Sequence, residues 1–96
     1  MFQNLDPLLH SQLRLAIISI LISVEEAEFS FLKEKTNASA GNISVQIEKL
    51  QEANYIKVEK SFKGKYPLTK CSITKQGIRA FNDYVNALKK YINPEA

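Results

Sequence analysis

The side chains with usable chemistry gather in two places, and neither is a catalytic constellation. The first is a run comprising Ser39, Ala40, Gly41, Asn42, Ser44, Val45, Gln46 and Lys49. On one helix these residues present hydroxyls, two carboxamides and an ammonium group, with one position lacking a β-carbon. A carboxamide holds a donor and an acceptor in one plane, the pair needed to bond the edge of adenine, and a valine methyl fits beside that of thymine. Gly41 lets the backbone approach a ligand closely. Lys49, one turn further along, suits a phosphate, whereas Ser39 is first of all a helix cap. The second place is the stretch holding Lys57, Lys60, Lys63, Lys65 and Lys70 against one acid, Glu59. The whole chain carries only +3, so the remainder is close to neutral, with Glu25, Glu26, Glu28 and Glu34 on the other side of the polar run. A local cationic patch on a neutral body is the footprint of a polyanion. A merely solvated lysine-rich hairpin is the plainer alternative.

Other chemistry is thin. His10 has no acidic or cysteine partner at catalytic or ligand spacing, and a lone Cys71 can form neither an internal disulfide nor a zinc site with one histidine. Glu25, Glu26 and Glu28 lack the loop spacing of a cation site. No glycine loop for phosphate and no nucleophile elbow is present. The expectation is therefore no catalytic residue, no metal and no cofactor.

The elements that position these residues follow from punctuation and periodicity. With 96 residues, 45% hydrophobic and 24% charged, the chain fits one domain with one core. Asp6 followed by Pro7 predicts a first helix over about residues 7–22, apolar round most of its circumference and so buried on more than one side. A very short extended segment around residues 27–29 precedes a second helix over about 30–36, capped by Ser30. After a turn at Thr36, Asn37 and Ala38, Ser39 caps a third helix over about 39–53. Its Ala40, Ile43, Ile47 and Leu50 face the core, and Asn54 supplies the left-handed stop.

From Tyr55 the period becomes two. Ile56, Val58 and Phe62 share an inward face, residues 63–67 form a loop stiffened by Pro67, and Cys71 and Ile73 return, making a hairpin over about 55–74. A long helix over about 75–92 ends at Asn93 and Pro94. Its Ile78, Phe81, Val85, Leu88 and Ile92 step by three and four as a seam, with Tyr84 and Tyr91 on a neighbouring stripe. The fold class is α+β and mainly helical.

This order of elements is a winged helix-turn-helix, with the third helix as recognition helix and a two- or three-stranded wing. The residues Ala40, Gly41, Asn42, Ile43 and Ser44, then Lys49, Leu50, Tyr55 and Ile56, then Lys60, Phe62, Gly64, Pro67 and Thr69, then Ile73, Thr74, Gly77, Ala80, Phe81 and Tyr84 closely resemble small single-domain winged-helix regulators related to the MarR and ArsR groups. Arg14 and the apolar residues after it match the first helix of that group. Two departures stand out: Asn54 replaces a glycine at the end of the recognition helix, and Ala40 replaces a residue that is often acidic.

The resemblance implies a bacterial transcription regulator with its recognition helix in the major groove and Lys60, Lys63, Gly64, Lys65 and Lys70 of the wing on the backbone or minor groove. Surplus apolar surface on the first and last helices implies a homodimer through Leu9, Leu13, Tyr84, Val85, Leu88, Tyr91 and Ile92, and hence a pseudo-palindromic double-stranded DNA operator. A cleft between those helices is the place expected for an unidentified small-molecule effector. The competing expectation is a winged-helix protein-interaction module, since fold does not fix function. The apolar run from Leu13 to Ile22 is too short to span a bilayer, which needs about 20 residues. With no secretory leader features at the N-terminus, the chain is expected in the cytoplasm and away from membranes.

Overall fold

A computed structural model describes residues 2–95, and its elements are α1 (Gln12–Val24), β1 (Glu26–Glu28), α2 (Phe29–Thr36), α3 (Ala40–Glu52), β2 (Ile56–Lys63), β3 (Tyr66–Ile73) and α4 (Lys75–Ile92). α1 is the hub, touching α2, α3, α4, β1 and β3. Its Ile17, Ile18 and Leu21 are fully buried, while Leu13, Leu15, Ile20 and Ile22 pack on the same core. Most of its all-round apolarity is thus absorbed within one chain, although Val24 at its end stays 42% exposed.

α1 starts later than Asp6 and Pro7 predict. Asp6 does cap a turn, accepting from Leu8 N through Oδ1 (2.9 Å) while its carbonyl accepts from His10 N (2.8 Å). That turn ends after Leu9, whose side chain is fully buried, and a second cap at Ser11 opens the helix proper. Two capping residues compete, and burial of Leu9 separates them. The second carboxylate oxygen of Asp6 accepts from Tyr55 Oη at 2.5 Å. Burial, and then this carboxylate, push the Tyr55 phenol up to about 12. A raised acid favours its protonated form, so this stabilisation is complete below pH 10 and is lost as pH rises through about 12.

Ser30 lies inside α2 rather than at its start, which Glu28 caps without a side-chain bond. Asn37 (φ +57°) ends α2, and Asn54 (φ +62°) turns the chain after α3. Ser39 Oγ accepts from Asn42 N (3.1 Å), and Ile43, Ile47 and Leu50 bury the inner face of α3.

The sheet is antiparallel in the order β1-β3-β2, with Val58 opposite Cys71 and Cys71 opposite Ala27. Cys71 is fully buried, and burial pushes its thiol up to about 11, which suits a small core residue rather than a reactive one. The wing turn is two residues long, Gly64 and Lys65, between the paired Lys63 and Tyr66. Gly64 sits at φ +65°, the left-handed backbone that such a turn needs. Pro67 therefore belongs to β3 and not to the loop. It is tolerated there because β1 flanks β3 only at Lys70, Cys71 and Ser72.

α4 buries Gly77, Tyr84 and Ala87, with Ala80, Phe81 and Leu88 packed beside them. The buried stripe is rotated from the seam inferred by spacing. Small side chains at positions 77, 80 and 87 let the helix approach closely, and this fixes which face turns inward. Among the described residues no helix is long and apolar enough to cross a membrane.

Candidate nucleic-acid interface

With its inner face buried, α3 exposes Ser39, Ala40, Gly41, Asn42, Ser44, Val45 and Lys49. Val45 is 48% exposed, an uncommon position for a β-branched apolar residue on a helix that already has a core face. Gly41 has no atom within 4 Å of where a β-carbon would stand. The small and uncharged groups occupy the N-terminal half. The second half also exposes Glu48 and Glu52 beside Lys49, acids that sequence reasoning passed over and that leave the N-terminal turns the part of the helix most open to an anion.

Gln46 departs from its expected role. Arg14, on α1, donates from Nε to Leu8 O (2.6 Å) and from Nη1 to Gln46 Oε1 (2.5 Å), while Gln46 Nε2 donates to Asn42 Oδ1 (3.0 Å). Arginine has donors only. The Gln46 oxygen must therefore face Arg14, its NH2 must face Asn42, and Asn42 must accept. Gln46 is half-buried and serves as a strut, whereas Asn42 keeps its carbonyl occupied and its Nδ2 as the outward group. Two-bond pairing with adenine needs a donor and an acceptor presented together; each amide keeps a second lone pair and a second N–H, but the relay turns the Gln46 amide toward Arg14 and Asn42 and leaves Asn42 as the outward amide. Arg14 matched the family pattern, but nothing in the spacing tied it to residue 46.

The wing stands beside α3. Ser44, Glu48 and Gln51 from the helix and Val58, Lys60 and Thr69 from the hairpin line one groove of about 590 Å³. Lys60 shares the helix-facing side of the hairpin. Lys63, Gly64 and Lys65 are exposed at the tip. Lys70 is different: it lies 3.6 Å from Glu26, with Glu28 and Glu59 as its cross-strand neighbours. Acids thus meet its charge on the outer sheet face, away from the groove. Phe62 was expected inward, and its parity does match Val58, but the hairpin outruns the core and leaves the ring 75% exposed.

Of the residues expected at a dimer interface, Leu9 and Tyr84 are buried inside the protomer, and the Tyr84 hydroxyl shares a hydrogen bond with His10 Nδ1 (3.1 Å). Leu13 and Leu88 pack on the same core. Tyr91 stacks on Phe2 (4.8 Å between centroids) and donates to Gln3 O (2.8 Å). Val85 is half-buried and Ile92 is 76% exposed. Together with Ile78, 40% exposed, they form a partly covered apolar stripe at sevenfold spacing. α1 and α4 pack directly on one another. A cavity of about 700 Å³ lies instead where residues 3–7 meet α4, with Asn4, Asp6, Tyr55, Asp83 and Tyr84 in its lining.

Comparison with known proteins bears on this geometry. A family model described as a winged helix DNA-binding domain matches residues 13–92. An uncharacterised protein of Methanocaldococcus jannaschii, MJ0432, is 36% identical over 77 residues, 79% of this chain and 83% of that one. Among solved structures, a transcriptional regulator homologue from Pyrococcus horikoshii OT3 superposes with a TM-score of 0.84 at 25% identity, covering 91% of this chain and 86% of that one. The oxidised form of MarR from E. coli shares the fold at a TM-score of 0.71 and 13% identity, over 93% of this chain and 62% of its own. Two of these three relatives are archaeal, so they lend no support to a specifically bacterial source. By its family match and by the fold it shares with MarR, the chain belongs to the winged helix DNA-binding domain family.

Proposed function

We propose that the protein is a transcription regulator that binds duplex DNA as a homodimer, with the N-terminal turns of α3 in the major groove and the wing along the backbone. Support comes from one observation above all: the start of α3 exposes uncharged groups and the hairpin tip exposes lysines, while the middle of α3, through Ser44, Glu48 and Gln51, and the hairpin, through Val58, Lys60 and Thr69, line one groove that sets the two elements side by side. A helix about 10–12 Å across fits the major groove, about 12 Å wide. Gly41 and Val45 approach the base edges, Asn42 donates through Nδ2 to an acceptor such as guanine O6 or N7, and Ser39, Ser44 and Lys49 reach the backbone. Lys60, Lys63 and Lys65 neutralise phosphates. The dimer forms through Ile78, Val85 and Ile92, the apolar stripe of α4 that its own core covers only in part.

Selection of bound duplexes from a random pool tests the function. The expected product is a pair of inverted half-sites about 34–36 Å apart, one helical turn; no enrichment even in dilute buffer would sink the reading. Replacing Lys63 and Lys65 by alanine should weaken specific and random duplexes alike. The slope of log K against log salt should flatten by roughly 0.9 for each phosphate that is no longer neutralised. For the assembly, sedimentation at micromolar concentration should give a two-chain species, and Val85→Glu should reduce it to one chain. A wild type that sediments as a single chain removes the dimer and leaves the DNA surface in place.

A further inference from the structure

The wing tip carries two aromatic rings that the fold does not use. Phe62 is 75% exposed and Tyr66 is 78% exposed, more than any other aromatic side chain among the described residues. Neither stacks on another ring there. The register explains their placement: Phe62 lies opposite Pro67 and Tyr66 lies opposite Lys63, so the rings sit on opposite faces of the same hairpin end. Between them come Lys63, Gly64 and Lys65, the exposed turn. Rings left this open to water add little to the core, and the adjoining cations name the partner. Flat rings interleaved with lysines suit a polyanion that also presents flat apolar faces, which is the composition of nucleic acid.

We infer that the wing tip is an aromatic clamp for the DNA minor groove, in which Phe62 and Tyr66 lie against sugars and base faces while Lys63 and Lys65 hold the flanking phosphates. This rests on the duplex-binding function proposed above and adds to it a deformation of the DNA. A minor groove about 6 Å wide does not admit the rings without opening. Apolar wedges at such sites unstack a base step and kink the duplex, and pyrimidine–purine steps yield most readily. Part of the sequence preference then arises at TA or CA steps under the wing, where no side chain reads a base edge.

The test compares wild type with Phe62→Ala/Tyr66→Ala on a selected duplex carrying 2-aminopurine at the step under the wing. Wild type should raise the probe's fluorescence on binding, and the double variant should not. The variant should bind about 30-fold more weakly or worse, since each ring removed takes its stacking on a base with it. Its salt slope should stay unchanged, because every phosphate keeps its lysine, whereas Lys63→Ala/Lys65→Ala flattens the slope. Tyr66→Phe, which keeps the ring, should bind as wild type does. Equal melting temperatures for all variants establish that the tip is not needed for folding. A double variant with wild-type affinity, or one that still raises the probe signal, overturns the clamp. So does a double variant that sediments as one chain where wild type gives two, which would assign the rings to an interface between copies. Wild type that binds no duplex at all overturns the parent function instead.

Discussion

Replacing Gly77 by alanine should lower the melting temperature by roughly 12–24 °C, the equivalent of about 3 kcal/mol for a domain of this size. Helix propensity alone predicts the opposite, a gain of about 1 kcal/mol on removing a glycine from a helix. Contact decides the sign. A β-carbon at position 77 would stand 2.1 Å from Tyr55 O, 2.8 Å from Ile73 Cδ1 and 3.0 Å from Tyr55 C. Tyr55 O cannot step aside, for it accepts from Thr74 N (3.2 Å) and lies 3.0 Å from Thr74 Oγ1. The same hydroxyl approaches Asn54 O at 2.6 Å and accepts from Gly77 N at 2.9 Å, so it both caps α4 and fastens it to the joint between α3 and β2. Relief requires α4 to lift from that joint, carrying Tyr84 and Ala87 out of the core. Thermal unfolding followed by circular dichroism measures the effect, and an unchanged or raised midpoint would show that the α4 start is looser than this packing implies.

Gly77 also shows which parts of the fold were legible. The limits of α3 and α4 and the hairpin could be read because their signals are local: Ser39 and Thr74 cap, Asn37 and Asn54 turn left-handed, and the period changes at Tyr55. The start of α1 could not, since Asp6 and Ser11 are both competent caps, and only the burial of Leu9 in a core built from distant residues ends the first turn early. Periodicity likewise gave α4 its spacing but not its phase. Phe81 and Leu88 belong to the inferred seam and do pack inward, yet Tyr84 and Ala87 lie deeper, because small residues determine how close a helix comes to its neighbours.

The surface was legible as a set of residue types and much less so as a set of free groups. Asn42 and Gln46 look equivalent in the sequence, and only a side chain from another helix, Arg14, separates the strut from the reader. Lys60, Lys63, Lys65 and Lys70 look like one patch, yet Glu26 comes beside Lys70 only when β1 pairs with β3. Parity places Phe62 on the inner face of the hairpin. It says nothing of how far the core extends along that face, so the exposed aromatic tip emerges only in three dimensions.

The second glycine of consequence should behave in the reverse sense. Gly41 has open space where a β-carbon would stand, with nothing within 4 Å, and its backbone is ordinary helix in the first turn of α3. Gly41→Ala should therefore raise stability by up to about 1 kcal/mol, some 4–8 °C in melting temperature. If this bare position exists so that the helix can approach base edges, the same methyl should weaken duplex binding. Gly41→Glu should weaken it far more. It adds a charge in front of the phosphates, where like charges placed together cost several kcal/mol, and roughly a hundredfold or more in affinity follows. Neither variant should alter the α4 stripe, so sedimentation should match wild type. A variant that gains stability and loses binding separates the requirements of folding from those of recognition at a single residue, because no loss of structure can account for the weaker complex. If Gly41→Glu instead binds duplex as wild type does, the N-terminal turns of α3 do not face the DNA, however well the wing lysines hold its backbone.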